Sequence, residues 1–186
     1  MPARWMIAAL ALWVTPAFAE APLWEVDRDA SRIGFTGEQN GNAVQGRFER
    51  FDATVRFAPE DLAGSSIRLE IATGSAVVEG GGEREEILRG SAWFHVEDFP
   101  RAVFTADRFE ATDDGYRALG TLELKGATRE VPVDFTVDVA DGRAVADGRA
   151  ELLRTTFGVG PEGALFGVEV APDVVVDFHL EATRAE

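Results

Sequence analysis

The sequence has 186 residues and no cysteine, so disulfide bonds play no part in its stability. Its 33 acidic side chains against 18 basic ones give a formal net charge of −15, which opposes binding to nucleic acid or to an anionic membrane surface, since both depend on clustered Lys and Arg. This length suits one domain with a sizeable hydrophobic core.

The first nineteen residues read as a secretory signal peptide. Arg4 supplies the positive start, residues 5–14 form an apolar run, and Ala17-Phe18-Ala19 is a small-x-small cleavage site. The apolar run is shorter than the roughly 20 residues that a stable membrane anchor needs. We therefore predict cleavage after Ala19 and a periplasmic location without a stable membrane anchor. The mature domain would cover residues 20–186, with 33 acidic and 17 basic side chains and a net charge of −16.

Alternation of apolar and polar residues predicts β-strands along most of the mature chain. Residues 23–35 read as a first strand with a bend at 27–31. Residues 44–57 keep one apolar face with a single slip of parity at Glu49-Arg50, which is typical of a β-bulge. Further strands are predicted near residues 67–71, 102–106, 116–124, 131–139, 144–152 and 174–182.

Residues 83–104 contain the one stretch with helical spacing. A Glu-rich first turn precedes apolar positions that recur every three to four residues, and Phe99-Pro100 ends the predicted helix. Trp93, Phe94 and Phe99 follow within seven positions, too many aromatic rings for a surface helix to leave in water. We expect this helix and its aromatic tail to lie across an opening in the β-structure.

About eight strands joined by short turns predict an all-β fold, either a closed antiparallel barrel or a β-sandwich. Gly46, Gly120 and Gly148 inside strands, together with the small side chains of residues 144–150, favour the barrel. Because a packed core would fill that face with larger residues, the alanines and glycines also predict an internal cavity.

Five spaced motifs resemble the YceI-like family: V-Q-G-R-F-E-R-F at 44–51, E-R-E-E-I-L at 83–88, S-A-W-F-H-V-E-D-F-P at 91–100, L-G-T-L-E-L-K-G-A-T-R-E-V at 119–131 and L-R-T-T-F-G-V-G at 153–160. The resemblance covers almost the whole mature chain. It implies an exported, lipocalin-like antiparallel β-barrel with a helix between strands. It also implies a lumen that binds isoprenoids or other long-chain amphiphilic lipids, quinone-like compounds included.

This chain departs from the family pattern at two polar positions. His95 stands where many members have an acidic residue, and T-G-E-Q-N at 36–40 stands where many carry a histidine. If these positions touch a ligand headgroup, the preferred headgroup here differs.

The candidate ligand-binding residues are large apolar side chains on the predicted inner faces. They are Phe35, Phe48, Phe57, Ile67, Leu69, Phe94, Phe104, Leu122, Phe135, Phe157 and Phe178. For any single one of them, an ordinary core position is the favoured interpretation. Together they would let an isoprenoid tail bind by burial alone, since a buried methylene is worth about 0.8 kcal/mol.

Arg84 and His95 are the candidate headgroup contacts. An uncharged quinone or fatty amide suits this acidic protein better than a pyrophosphate, which Arg84, Arg89 and Arg101 would have to attract. Ion pairs with neighbouring carboxylates explain these arginines equally well.

Two arrangements raise a catalytic or metal-binding alternative. Ser91 and His95 are four residues apart, but no orienting carboxylate stands at a fixed spacing. Asp177, His179 and Glu181 share one face of the last strand, which is expected to face solvent. We therefore predict no enzyme activity, no cofactor and no metal.

The function predicted from the sequence is non-catalytic binding, sequestration or transport of a long-chain amphiphilic lipid. The alternative is a periplasmic partner-binding or stress-related module whose barrel is filled and binds no ligand.

Overall fold

The predicted alternation becomes strand pairing in the computed structural model, which describes residues 21–161, 164–165 and 168–186. The predicted signal peptide lies outside the described residues. The strands are β1 (Leu23–Gln39), β2 (Asn42–Phe48), β3 (Phe51–Arg56), β4 (Ser66–Ala72), β5 (Ala76–Val78), β6 (Arg101–Thr112), β7 (Gly115–Leu124), β8 (Ala127–Ala140), β9 (Arg143–Leu153), β10 (Ala164–Leu165), β11 (Val168–Glu169) and β12 (Asp173–Arg184).

Eight of these strands form a closed antiparallel barrel. Their order is β12-β9-β8-β7-β6-β4-β3-β1, and β1 pairs with β12 to close the ring, with Trp24 opposite Arg184 and Phe35 opposite Val176. This pairing confirms the predicted barrel and excludes the sandwich, because closure removes both sheet edges.

The edge of β1 that does not pair with β12 pairs with two strands. Its start pairs with β3, and its end pairs with β2, which in turn pairs with β5. The register with β12 shifts between Asp27 and Arg32, so the predicted bend is confirmed as an irregularity in β1. β2 and β5 therefore continue the sheet outside the barrel ring, next to the end of β1.

The β-bulge predicted at Glu49-Arg50 is wrong. The structure has a strand break there, because β2 pairs with β1 and β5 whereas β3 pairs with β4 and the start of β1. The backbone amide of Glu49 donates to the Ser75 carbonyl at 3.2 Å, and that of Arg50 donates to Ser75 Oγ at 3.0 Å. The parity slip therefore marks a change of partners.

Gly46, Gly120 and Gly148 give space to phenylalanine rings on the neighbouring strand. A Cβ atom on each glycine would lie within 2.5 Å of a ring Cζ atom: Phe178 at Gly148, Phe104 at Gly120 and Phe35 at Gly46. These rings therefore lie over the barrel wall, as aromatic residues do when they cover a glycine in a sheet.

Helix α1 (Glu83–Arg89) is shorter than predicted. It ends at Gly90, whose amide donates to the Ile87 carbonyl at 3.1 Å, and residues 91–99 continue as turns. We call residues 90–100 the cap segment. No helix in the described part of the chain has the length and apolarity needed to cross a membrane.

Candidate functional site

The barrel encloses a cavity of about 260 Å³. Inward-facing residues of all eight barrel strands line it. Its described lining is apolar except for Thr73, Arg154 and the indole nitrogens of Trp24 and Trp93. This volume lies just below the roughly 300–1,000 Å³ of ordinary small-molecule pockets, and the apolar lining suits a hydrocarbon chain.

The structure brings together all eleven residues predicted to line the lumen. Phe35, Phe48, Phe57, Ile67, Leu69, Phe94, Phe104, Leu122, Phe135, Phe157 and Phe178 all line this cavity. Alternation explains the common face of those that lie in strands, whereas Phe94 lies in the cap segment and Phe157 in a 3-10 turn. Their contact with a ligand stays a prediction.

Residues of the cavity lining differ in exposure. On β6 and β7 the inward residues Ala102, Phe104 and Ala118 line the cavity and are buried. On β9 the inward residues Ala144 and Ala150, which also line the cavity, are half-buried. Because an alanine side chain ends at Cβ, the alanines of β9 leave free space inside the barrel, in agreement with the internal cavity that the small side chains of residues 144–150 predict.

At one end of the barrel, aromatic rings pack together. The Phe57 ring lies 5.7 Å from Phe109, 5.2 Å from Tyr116 and 5.5 Å from Phe135, centroid to centroid, with all three contacts edge-on. The Trp24 indole N–H donates to the Phe57 carbonyl at 2.9 Å. We call these five residues the aromatic plug.

At the other end, the cap segment covers the barrel. Its Trp93 and Phe94 line the cavity, and the Phe94 ring centroid lies 6.0 Å from that of Phe48. The expectation that the helix and its aromatic tail cover an opening is thus met mainly by the tail. Leu88 is the residue of α1 in the cavity lining.

Hydrogen bonds fasten the cap segment to two loops. The Gly160 amide donates to the Ala92 carbonyl at 2.8 Å. The Lys125 ammonium donates to the Ala92 carbonyl at 3.2 Å and to the Gly158 carbonyl at 2.6 Å. Partial burial lowers the pKa of Lys125.

Arg154 is the charged residue of the described lining, and sequence reasoning gave it no role. Its guanidinium donates to four backbone carbonyls, of Ala171 (2.8 Å), Val159 (2.8 Å), Pro161 (3.0 Å) and Val170 (2.5 Å). Its Cζ also lies 5.4 Å from the Trp93 ring centroid. Burial lowers the pKa of Arg154.

The charge of Arg154 is compensated by dipoles. The described residues supply no carboxylate within 4.0 Å of its guanidinium, so carbonyl oxygens and the Trp93 ring face supply the compensation. The sequence carries no signal for this role, because the acceptors are backbone carbonyls.

The two predicted headgroup residues do not line the cavity. Arg84 is exposed and donates to the Glu79 carbonyl at 3.1 Å. His95 Nε2 lies 3.3 Å from Asp98 Oδ2, and the His95 ring packs edge-on against Phe99. Contact of either side chain with a ligand headgroup stays a prediction.

The two arrangements considered for catalysis are also placed by the structure. Ser91 is exposed, and no hydrogen bond joins it to His95 in the described part of the chain. His179 Nδ1 lies 2.8 Å from Asp147 Oδ1 and its Nε2 lies 3.6 Å from Glu181 Oε1, outside the cavity lining. No group of three His, Cys, Asp or Glu that could hold a metal occurs among the described residues.

Comparison with known proteins gives consistent relatives. The model of the YceI-like domain matches residues 24–182. The UPF0312 protein of Yersinia pestis (strain Pestoides F) is 30% identical over 127 residues, which are 67% of this chain and 66% of that relative. The chain thus aligns with slightly less than two thirds of the length of this curated relative.

Solved structures show the same fold. Burkholderia cenocepacia BcnA is similar with a TM-score of 0.73 and 29% identity over 86% of this chain and 100% of that chain. The Campylobacter jejuni YCEI protein gives 0.65 and 20%, covering 76% and 85%. A Saccharophagus degradans domain gives 0.65 and 15%, covering 88% and 99%; it is described as a polyisoprenoid binding domain implicated in plant cell wall breakdown.

Proposed function

Since this chain belongs to the YceI-like family, we propose that it is a non-catalytic protein that binds a long-chain amphiphilic lipid in its barrel lumen and so sequesters or carries it. The ligand class is an isoprenoid or isoprenoid quinone, or a fatty-amide-like lipid. The observation that carries the proposal is the apolar cavity of about 260 Å³ that runs between the aromatic plug and the cap segment. The polyisoprenoid-binding description of the Saccharophagus degradans neighbour supports the ligand class.

Burial alone supplies enough free energy for this binding. At about 0.8 kcal/mol for each methylene-sized group, one five-carbon isoprenoid unit contributes roughly 4 kcal/mol before the cost of immobilisation. Three units contribute roughly 12 kcal/mol; after an immobilisation cost of about 4 kcal/mol, roughly 8 kcal/mol remain, which corresponds to micromolar affinity without a polar contact.

The proposal extends to the location. A leader with a positive start, an apolar run and the Ala17-Phe18-Ala19 cleavage site supports export to the periplasm. Mass spectrometry of the protein from a periplasmic fraction tests this, because a mature chain beginning at Glu20 is expected there. An uncleaved chain found in the cytoplasm would contradict it.

The cavity favours the binding function over the filled-barrel alternative. A scaffold without a ligand would gain stability from large side chains on β9, where this chain has Ala144, Ala146 and Ala150. The free volume at these alanines is thus better explained by a guest molecule.

Organic extraction of protein purified from its own host tests the proposed function. We expect one equivalent of a long-chain lipid by mass spectrometry. Ala150→Trp, which fills the cavity from β9, should lose most of that lipid, whereas Glu151→Trp, on the exposed face of the same strand, should keep it. A lipid-free extract from folded, unaltered protein would contradict the proposal.

A further inference from the structure

The inward side chains of β8 are buried or half-buried from Val131 to Val137, but Val139 near the end of the strand is exposed. Val131, Phe135 and Val139 all line the cavity, but their exposed fractions are 5%, 8% and 44%. Val139 lies two residues before Asp141, where the β8–β9 turn begins. A side chain that lines a cavity and is also open to solvent marks a place where the two are connected.

Val139 belongs to a row of short side chains across four neighbouring strands. Val139 is opposite Ala144 on β9, Ala144 is opposite Ala182 on β12, and Ala182 is opposite Val26 on β1. All four line the cavity, and the last three are half-buried. We call these four residues the rim.

Other parts of the lining are covered by described residues. At the same barrel end, the rings of the aromatic plug pack against one another. At the far end, Arg154, Phe157 and Val159 are buried under the bonded cap segment. Passage there would require breaking the hydrogen bonds that join the cap segment to its neighbouring loops.

We propose that the cavity opens at the rim and that an amphiphile enters there with its hydrocarbon tail first, leaving its polar head at the rim. This inference rests on the proposed function and adds the route and the orientation of the ligand. The head stays in water in this orientation, so no polar group has to be desolvated in the apolar lumen. The tail lies toward Trp93 and Arg154.

The absence of cysteine from the chain gives a direct test, because a single introduced thiol can be labelled in the folded protein. Val139→Cys places it on the rim. Val145→Cys is the matched control, since Val145 lies beside the same turn and is 37% exposed but does not line the cavity. Each delipidated variant is modified with a bulky polyethylene glycol maleimide. All-trans-retinol, an uncharged isoprenoid alcohol whose fluorescence rises in apolar surroundings, serves as the probe.

Stopped-flow fluorescence measures uptake and release of retinol. We expect the label at position 139 to slow uptake by about tenfold or more, and the label at position 145 to change it by less than about twofold. When retinol is loaded before labelling, the label at 139 should also slow release. This second result distinguishes a blocked entrance from a distorted cavity, which would release retinol faster.

Equal uptake rates for the two labelled variants would overturn the entrance at the rim while leaving the proposed function intact. Failure of the unlabelled, delipidated protein to take up retinol would count against the proposed function itself.

Discussion

Arg154 illustrates how one side chain closes a barrel end. Its guanidinium joins backbone from two stretches, Val159 to Pro161 and Val170 to Ala171, beneath the Trp93 ring. A planar group with five donors suits this task, whereas a lysine ammonium has three donors and no flat face. Although burial lowers the pKa of Arg154, an arginine stays protonated at physiological pH, so the clamp is permanently charged.

Arg154→Met should destabilise the protein by roughly 2–4 kcal/mol, because buried carbonyls lose their charged donor. Urea unfolding measures the change. Arg129→Met is the matched control: this exposed arginine donates to a single carbonyl, that of Thr128 at 2.8 Å, and its loss should cost at most about 0.5 kcal/mol. Equal midpoints for the two variants would show that Arg154 does not hold the loops.

Neighbouring strands of the barrel place a glycine on one strand opposite a phenylalanine on the next. Phe178 on β12 lies over Gly148 on β9, directly opposite in register. The pairing keeps a large ring beside the wall, and the volume at the centre of the barrel stays free. The cavity thus depends on how neighbouring strands fit each other, beyond the size of any single residue.

Gly148→Ala should reduce both stability and capacity for ligand. The new Cβ would lie 2.5 Å from Phe178 Cζ and 2.7 Å from the Asp134 carbonyl oxygen, so the ring must move into the lumen. Overpacking of this kind costs about 1–3 kcal/mol. Urea unfolding and retinol titration measure the two effects.

Gly37→Ala is the control for this substitution. Gly37 also lies in a strand, β1, but the nearest atom to its new Cβ would be Val174 Cγ2 at an ordinary 3.9 Å. Stability and retinol affinity should stay close to those of the unaltered protein. If Gly148→Ala matched this control in both measurements, the glycine would not be what makes space for the ring.

In the molecule as a whole, most charged side chains lie outside the lumen, whose lining is largely apolar. The net charge is −15, while the described lining of the lumen carries one cation and no carboxylate. By strand order the barrel end that holds the rim also carries the turns at Asp113-Asp114 and at Asp141. An anionic headgroup left at the rim would meet this acidic surface, whereas an uncharged one would not.

We expect farnesol to bind more tightly than farnesyl phosphate at low salt. Raising the salt concentration should narrow the gap, because about 0.1 M salt screens charges beyond roughly 10 Å. Competition against retinol in low and high salt measures both affinities. Tighter binding of the phosphate at low salt would contradict this prediction, and Arg143 and Arg184 beside the rim, or Arg154 in the lumen, would then be its candidate partners.

The sequence predicted the barrel and the lumen residues well because strict alternation assigns each side chain to a face. It did not predict which strands pair, so the change of partners between β2 and β3 was taken for a bulge at Glu49-Arg50. Helical spacing continues past Gly90, yet the helix ends there and turns follow.

Arg154 was missed for a different reason. Its acceptors lie five to seventeen residues further along the chain, and a sequence does not show that their carbonyls converge on one guanidinium. Such a site depends on backbone geometry, which leaves no pattern of side chains to read.

The alanine wall of β9 has a consequence for how this architecture diversifies. Along that strand the inner and outer residues alternate, so replacing a methyl inside with a longer branch leaves the outer surface untouched. A few such substitutions would narrow the cavity step by step, while the backbone of the barrel stays the same. The same fold can therefore be adapted to ligands of different width.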